Sequence, residues 1–581
     1  MKEKIKLNIA TFILLIYTLF IVINDCLCFA FSKNSSIIFY ILSLVICFGL
    51  CFFLRRKFKI VKLDFDKIDI VFLLFILSVF LVRFAIPDSS FDTLNYHLYS
   101  QERLFSNNTS YNFFPARWIN TFSLPLADRM HYFFRYLFGY RLGILANLFC
   151  IIIIYYQIKQ ILKKLNINKN YAGLISVVIL VTEQILANML TYYVDLFSIP
   201  FLLEIIIVLL NYKKVNNIIN FIVLFMAGVL VSIKVSNAFL LIPLVIIYIK
   251  KYRKDINWKT IVFGILIFIF PMFVYLLNNY IQTGNPVFPF YNSIFKTKYL
   301  PKENWIERFY GPKTLKERLL WPIYLFKYPR KAFDTDIYYG RIGFGYIVAI
   351  LISIKAMFYR FKKKIKINEL EWLSILYIVL CLIWSNFMMG YIRYALVLEV
   401  LSGIIMAVFL YRNFYKKRII NTCISIVCIF AFMYTGLLTI SNTVFGTNES
   451  SWRYPYYMDK KGYSINFEYI FNRSWDYSSQ TAMVDCYGIV DYNAGYAALL
   501  SKNKRIVGLN EAYKTSYGNK KSDSVLKECK NIYTISTSVT LERTEKYLGK
   551  VGYKRKSDNI SFKADFLNYN NNIIIFEIEK K

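Results

Sequence analysis

The chain has 581 residues, 57% of them hydrophobic and 19% aromatic, a composition that excludes an ordinary soluble enzyme and makes lipid the solvent for most of the chain. Its 71 Lys and Arg against 36 Asp and Glu leave a formal charge of +35. Much of that excess lies in short clusters between apolar runs, Arg55-Arg56-Lys57, Lys163-Lys164, Lys250-Lys251 with Arg253 and Lys254, Lys362-Lys363-Lys364 and Lys416-Lys417-Arg418; this is the pattern of cytoplasmic loops and not of a nucleic-acid-binding module.

The N-terminus opens with three lysines in its first six residues and passes into an apolar run from Leu7 to Phe31. That run is too long for a signal-peptide core and predicts an uncleaved first span with the N-terminus in the cytoplasm. Further runs of roughly 17 to 25 residues, long enough to cross a hydrocarbon core, bring the count to about 13. They lie near 7–31, 36–54, 68–86, 140–158, 171–190, 195–211, 216–233, 237–250, 258–278, 343–358, 371–388, 395–411 and 419–440. The alternation places a loop at 87–139, a second at 279–342 and the tail from 441 on the outer face of the cell membrane. The expectation is therefore a polytopic α-helical membrane domain over 1–440 and a small extracytoplasmic α/β domain over 441–581.

In the tail, strands are expected at Thr481–Cys486, Arg505–Leu509 and Ile532–Ser536, alternating with helices at Tyr492–Lys502, Ser522–Lys530 and Leu541–Val551. Such alternation predicts a small parallel layer, closed by a hairpin of Asn559–Phe566 and Asn572–Glu579. Eight of the ten cysteines lie in or beside apolar runs. Cys486 and Cys529 fall in the soluble tail, where a disulfide between them stays open.

The first outer loop starts Pro87-Asp-Ser-Ser-Phe-Asp-Thr-Leu-Asn-Tyr-His-Leu98 and holds both histidines of the chain, His97 and His131. Phe91, Leu94, Leu98 and Phe105 are helically spaced, so a helix there lies on the membrane surface and holds Asp92 at the lipid-water boundary. Ser89-Ser-Phe-Asp92 also fits a capping box, in which the acid satisfies only a backbone N–H. Further on, Asp128 and His131 are three apart, on one face of any helix. A pair at that spacing can hold a divalent metal, share a proton or be a plain surface hydrogen bond. Arg117 and Trp118 offer a cation and an interfacial ring for a lipid headgroup.

Asp195 sits between two apolar runs with almost no loop; an ionised carboxylate costs on the order of 2.5 to 3.5 kcal/mol at a helix centre and is seldom idle there, whereas at the very end of a span the cost falls and a plain structural acid is tolerated. Lys234 and Arg393 are cations near the predicted outer ends of spans, suited to a phosphate or to snorkelling toward water. The second loop begins Thr283-Gly-Asn-Pro-Val-Phe-Pro-Phe290 and then carries Lys296, Lys298, Lys302, Arg308, Lys313, Lys316 and Arg318 among aromatics, a surface that attracts anionic lipids.

Taken in order, Phe91-Asp-Thr-Leu-Asn-Tyr-His-Leu98, Tyr192-Tyr-Val-Asp-Leu196, Ser232-Ile-Lys-Val-Ser236, Thr283-Gly-Asn-Pro-Val-Phe-Pro-Phe290 and Tyr391-Ile-Arg-Tyr394 resemble the multi-span glycosyltransferases of the C-type fold (GT-C). That group includes protein O-mannosyltransferases and lipid A aminoarabinose transferases, and the resemblance spans residues 68 to 411. It implies transfer of a sugar from a polyprenyl-phosphate donor to a glycan, lipid or protein hydroxyl outside the cytoplasm, in cell-envelope glycan assembly. Asp92 would be the general base, Asp128 and Asp195 would orient the acceptor or a metal, and Tyr96, His97, Arg117, Lys234 and Arg393 would bind substrate. The mannosyltransferases have Asp-Glu where this chain has Asp92-Thr93, so their substrate does not carry over. An O-antigen-type polymerase or ligase is the rival within the pathway, and a lipid-linked glycan flippase the rival of another class; a flippase calls for paired polar groups at the bilayer midplane.

Overall fold

Each of the thirteen apolar runs is helical, and the helices follow one another as Ile9–Ala30, Ile37–Leu54, Lys67–Ala85, Leu145–Lys164, Lys169–Leu180 with Glu183–Met189, Ser198–Asn211, Asn217–Ile233, Asn237–Tyr252, Trp258–Ile269 with Phe273–Thr283, Arg341–Lys363, Glu369–Phe387, Leu396–Asn413 and Ile419–Val444. The computed structural model describes residues 5–581 apart from 56, 62–64, 86, 89, 106–123, 305–309, 329–330, 333–339, 364–367, 415–417, 445–476, 492, 502–503, 510–514 and 568–570. Among the described residues seven helices are long and apolar enough to cross a membrane, or eight with one bent pair counted as a span. The expected count of about 13 is not reached on length and composition, because helices such as Ser198–Asn211 and Asn237–Tyr252 stop after 14 and 16 residues.

The bent pair corrects the expected span at 171–190. Lys169–Leu180 and Glu183–Met189 meet at 77°. The break is local chemistry: Thr182 is extended, its hydroxyl oxygen accepts the Ile185 N–H at 3.2 Å, and its O–H donates to Glu399 at 2.9 Å. A capping threonine starts a new helix here in the middle of an apolar run.

Helix Ile37–Leu54 leaves Ile38, Val45, Phe48 and Phe53 more than half exposed, a contiguous apolar face that suits lipid and not water. The molecule is a multi-pass helical membrane protein. Its two ends differ in charge. Helix Leu145–Lys164 begins near Tyr140, whose ring lies 6.0 Å from Phe566 of the tail, and runs to Lys163 and Lys164 at the other end. There Lys164 lies near Lys251, and Arg412 donates to the Leu165 carbonyl at 2.6 Å. Basic clusters thus gather at the end away from the tail.

Two short parallel strands, β1 (Ile5–Asn8) and β2 (Phe58–Val61), pair beside the first helix. The tail holds β3 (Cys486–Ile489), β4 (Arg505–Gly508), β5 (Ile532–Thr537), β6 (Tyr553–Arg555), β7 (Ile560–Phe562) and β8 (Ile573–Lys580). The order is β4-β3-β5-β8-β6, parallel across the first three and antiparallel at β8, with β7 also on β8. The expected hairpin is the β7–β8 pair. Helices Ser516–Lys527 and Leu541–Lys550 cover one face through Val525, Leu526 and Leu548. Helix Ala494–Leu500 and the first loop, through Leu94, Leu98 and Tyr140, cover the other. Cys486 and Cys529 are free thiols in hydrogen-bond contact.

A buried ion pair ties the first helix to the first loop. Arg129 donates through Nε to Asp25 at 2.9 Å, both side chains being 1% exposed, and through Nη1 to Asn34 and to the Gln101 carbonyl, each at 2.9 Å. Tyr275 donates to the second Asp25 oxygen. Breaking such a pair on one side leaves an uncompensated charge. Arg129→Ala is therefore expected to destabilise the protein by about 3 to 5 kcal/mol, read as a lowered melting temperature in detergent, and Asp25→Asn added to Arg129→Ala to recover part of the loss.

A candidate active site between two ion pairs

Asp88 secures the start of the first-loop helix. Its carboxylate accepts the Ser90 N–H at 3.0 Å, the Thr93 hydroxyl at 2.7 Å and the Tyr192 N–H at 2.8 Å. Ser89 of the expected capping box lies outside the described residues. With those donors served by Asp88, the Asp92 side chain turns elsewhere: its Oδ2 accepts from Arg393 Nη2 at 2.6 Å, and Tyr96 donates to it as well.

Residues Thr93–His97 form a π-helical turn, closed by the Leu98 N–H on the Thr93 carbonyl, before helix Leu98–Arg103. An i→i+5 turn brings residues five apart nearer one face than a 3.6-residue turn does, and such turns recur at functional sites. Here it gathers Asp92, Tyr96 and His97. Burial alone would raise the Asp92 carboxyl, but the Arg393 guanidinium, the nearby His97 and the Arg393 and Tyr96 hydrogen bonds overcome it and hold the group below its ordinary value.

Arg393 is carried by a sharp turn in which Met389 and Gly390 both have positive φ. Trp321 Nε1 donates to the Gly390 carbonyl at 2.8 Å and Trp384 Nε1 to the Tyr391 carbonyl at 2.9 Å, so two buried indoles lock the turn. The short 3-10 helix Ile392–Ala395 then delivers the guanidinium at the head of Leu396–Asn413. It lies over the rings of Tyr193 at 4.3 Å and Tyr391 at 5.2 Å.

A second ion pair sits beside the first. Lys234, where helix Asn217–Ile233 ends, reaches Asp195 at 2.7 Å, and its ammonium lies 3.3 Å from the centre of the Tyr394 ring. Tyr193 and Tyr394 are sequence neighbours of the opposite pairs' motifs, so the two pairs share aromatic walls. Lys234 is 24% exposed against 5% for Asp195, leaving the cation as the more accessible partner. Asp92, Tyr96, Asp195, Lys234 and Arg393 are therefore brought together.

Asp128 joins the group through His97, not through His131. His97 Nδ1 and Asp128 Oδ1 are 2.7 Å apart, both about 5% exposed. Burial pushes the Asp128 carboxyl above its ordinary value against the pull of His97 and Gln101. His131 instead meets Asn147 through Nε2 at 2.9 Å and packs edge-on to Tyr192 and Phe197. Burial pushes its pKa down to about 3, so it is neutral at any working pH. Three residues apart on helix Leu126–Phe138, Asp128 and His131 thus serve different partners, His97 and Asn147. Among the described residues no group of three His, Cys, Asp or Glu is placed to hold one.

Arg117, Trp118 and Arg308 lie outside the described residues. In the second loop Gly284 takes the left-handed conformation that ends helix Phe273–Thr283, and Asn285 pins the turn by accepting from the Val287 N–H at 2.9 Å and donating to the Phe290 carbonyl at 2.8 Å. Beyond it Lys298 faces the tail, with its ammonium 5.8 Å from the Tyr517 ring and its carbonyl accepting from Thr515. The wall tyrosines Tyr193, Tyr391 and Tyr394 were not singled out from sequence; the available signal was that each flanks a charged residue, Asp195 or Arg393, at the end of an apolar run.

A protein-family profile, a domain of unknown function (DUF8201), matches residues 132–400. No curated protein matches. Among solved structures, ArnT from Cupriavidus metallidurans in the apo state is similar with a TM-score of 0.45 at 11% identity, over 87% of this chain and 97% of that one. The same protein bound to undecaprenyl phosphate gives 0.44 at 12%, with the same coverage.

Because its folded pKa is depressed, the stabilisation Asp92 draws from ionisation is present above the ordinary value of 3.8 and is lost only as pH falls through the lowered one. At neutral pH the carboxyl is ionised. Arg393→Met removes the main opposing influence and leaves the burial, so the Asp92 carboxyl should rise from its lowered value and become more reactive toward dicyclohexylcarbodiimide, which attacks protonated carboxyls. Mass spectrometry should find more of the Asp92 adduct in the variant than in the parent.

Proposed function

We propose that this protein transfers a sugar from a polyprenyl-phosphate donor to an acceptor hydroxyl at the outer face of the membrane, with inversion, as a GT-C-type glycosyltransferase. The observation that supports it best is the convergence of two carboxylates and two cations, Asp92 with Arg393 and Asp195 with Lys234, between tyrosine rings at the end of the helix bundle. The basic clusters at the opposite end favour a cytoplasmic N-terminus and an outer tail. In this reading all thirteen helical segments traverse or line the membrane domain, residues 441–581 form the extracytoplasmic domain, and the site faces the lipid-water boundary, where a lipid-linked donor arrives.

The chemistry follows from charge. As the acceptor oxygen bonds to the anomeric carbon, the bond from that carbon to the phosphate oxygen breaks and its electron pair leaves with the phosphate. The leaving polyprenyl phosphate gains one negative charge. Arg393 and Lys234 receive it: each offers N–H donors now engaged by a carboxylate, and donors aimed at developing charge in a water-poor site are the largest single source of rate. The acceptor proton goes to Asp92, which is ionised beforehand and regains basicity when the phosphate draws Arg393 away. Asp195 keeps Lys234 in place until donor binds. Tyr96 orients the Asp92 carboxylate, the His97–Asp128 pair sets the electrostatics behind it, and the faces of Tyr193, Tyr391 and Tyr394 offer stacking surfaces for a sugar ring. A single displacement inverts the anomeric configuration.

The test is transfer from a radiolabelled polyprenyl-phosphate sugar in proteoliposomes. Asp92→Asn should lower kcat by roughly 10² to 10⁴-fold, the usual contribution of a positioned base, with a well-folded protein by size-exclusion chromatography. Lys234→Ala and Arg393→Ala should each cost on the order of 10² in kcat. NMR of the product should read inversion; a retained anomeric configuration, or full activity in Asp92→Asn, would overturn the scheme.

A further inference from the structure

Both ends of the turn that carries Asp92 are held by the C-terminal domain. At the downstream end helix Ala494–Leu500 lies against the π turn and helix Leu98–Arg103, with Leu94, Leu98, Ala494 and Ala497 all nearly inaccessible. The contact is backbone-close: a Cβ at Gly495 would lie 2.9 Å from the Leu94 carbonyl oxygen and 3.0 Å from the Leu98 Cβ. A carbonyl inside a turn cannot swing aside as a side chain can, so glycine is required there by proximity. Arg103 donates to the Ser501 carbonyl at the end of the same tail helix. At the upstream end Tyr140 donates to the Asp88 carbonyl while its ring meets Phe566. Next to it Arg141 donates to the carbonyls of Asp565 at 3.0 Å and Leu567 at 2.9 Å.

We propose that the C-terminal domain is a positioning element of the transfer reaction: Gly495 seated on the Leu94 carbonyl and Phe566 seated on Tyr140 clamp the Asp88–Leu98 segment so that Asp92 meets Arg393. The proposal rests on the reading of Asp92 as general base. A π turn is a seldom-used geometry found mostly as single turns at functional sites, and here the tail packs directly against it. The domain acts through the turn and touches no reacting atom. Its effect is therefore on kcat, since donor affinity resides in Arg393 and Lys234, on other elements.

The experiment compares the full chain with Gly495→Ala and Phe566→Ala in nanodiscs, by hydrogen exchange and by kinetics. Peptides covering 93–99 should lose protection in both variants, and kcat should fall by on the order of 10²-fold, the cost of misplacing a catalytic group by about 1 Å, with the donor KM unchanged. Unchanged protection at 93–99 overturns the clamp, whether the sheet peptides at 532–537 and 573–580 stay protected or not. Lost protection there with unchanged kcat, in a parent that transfers sugar, overturns the catalytic role. A parent that transfers nothing fails the functional reading instead, and the exchange arm still decides whether the tail holds the turn.

Discussion

The contact between Asp92 and Arg393 is the constraint around which the rest is arranged. It joins residues 301 apart in sequence, from the first loop and from the head of a late helix, in surroundings too dry for either charge alone. Each partner is stiffly mounted: Asp92 on a turn whose start is pinned by Asp88, Arg393 on a positive-φ turn locked by Trp321 and Trp384. Rigid mounting on both sides means that a ligand able to compete for the guanidinium changes the charge state of the site without moving the scaffold. A polar pair of this kind contributes little net stability when intact and costs much when half of it is removed.

The same economy recurs around it. Lys234 with Asp195 and Arg129 with Asp25 each neutralise a charge that burial would penalise. These pairs are not scattered: Lys234–Asp195 lies beside Asp92–Arg393, and Arg129–Asp25 fastens the loop that bears Asp92 to the first helix. Hydrophobic packing sets where the helices stand, while ionic contacts set how the first loop is pinned among them.

What the sequence made legible, and what it did not, follows from range. Helix positions in the membrane domain could be read because an apolar run long enough to span is a local signal; the break at Thr182 was hidden because the run is apolar on both sides of a single capping residue, although Thr182-Glu183 is itself a helix-start signature. Asp92, Asp195, Lys234 and Arg393 stood out as charges beside lipid. Their pairing did not, since each partner lies 301 or 39 residues away and no local pattern reports such contacts. Asp128 and His131 illustrate the opposite error, where helical spacing proposed a pair and burial against His97 and Asn147 assigned each another partner. Among 48 tyrosines, nothing in composition could single out the three that wall the site.

The docking of the tail on the first loop has a consequence for biogenesis. Asp92 leaves the ribosome hundreds of residues before the segments that complete its surroundings; at 5 to 20 residues per second, the interval to Arg393 alone is about 15 to 60 s. During that time the loop carries an unpaired acid and an uncovered apolar face at Leu94 and Leu98, and the tail sheet that covers this face follows Arg393 in the chain and is made later still. Pairing of these charges is thus a late event in synthesis, and the first loop stays open to water and lipid until the later helices and the tail have followed it.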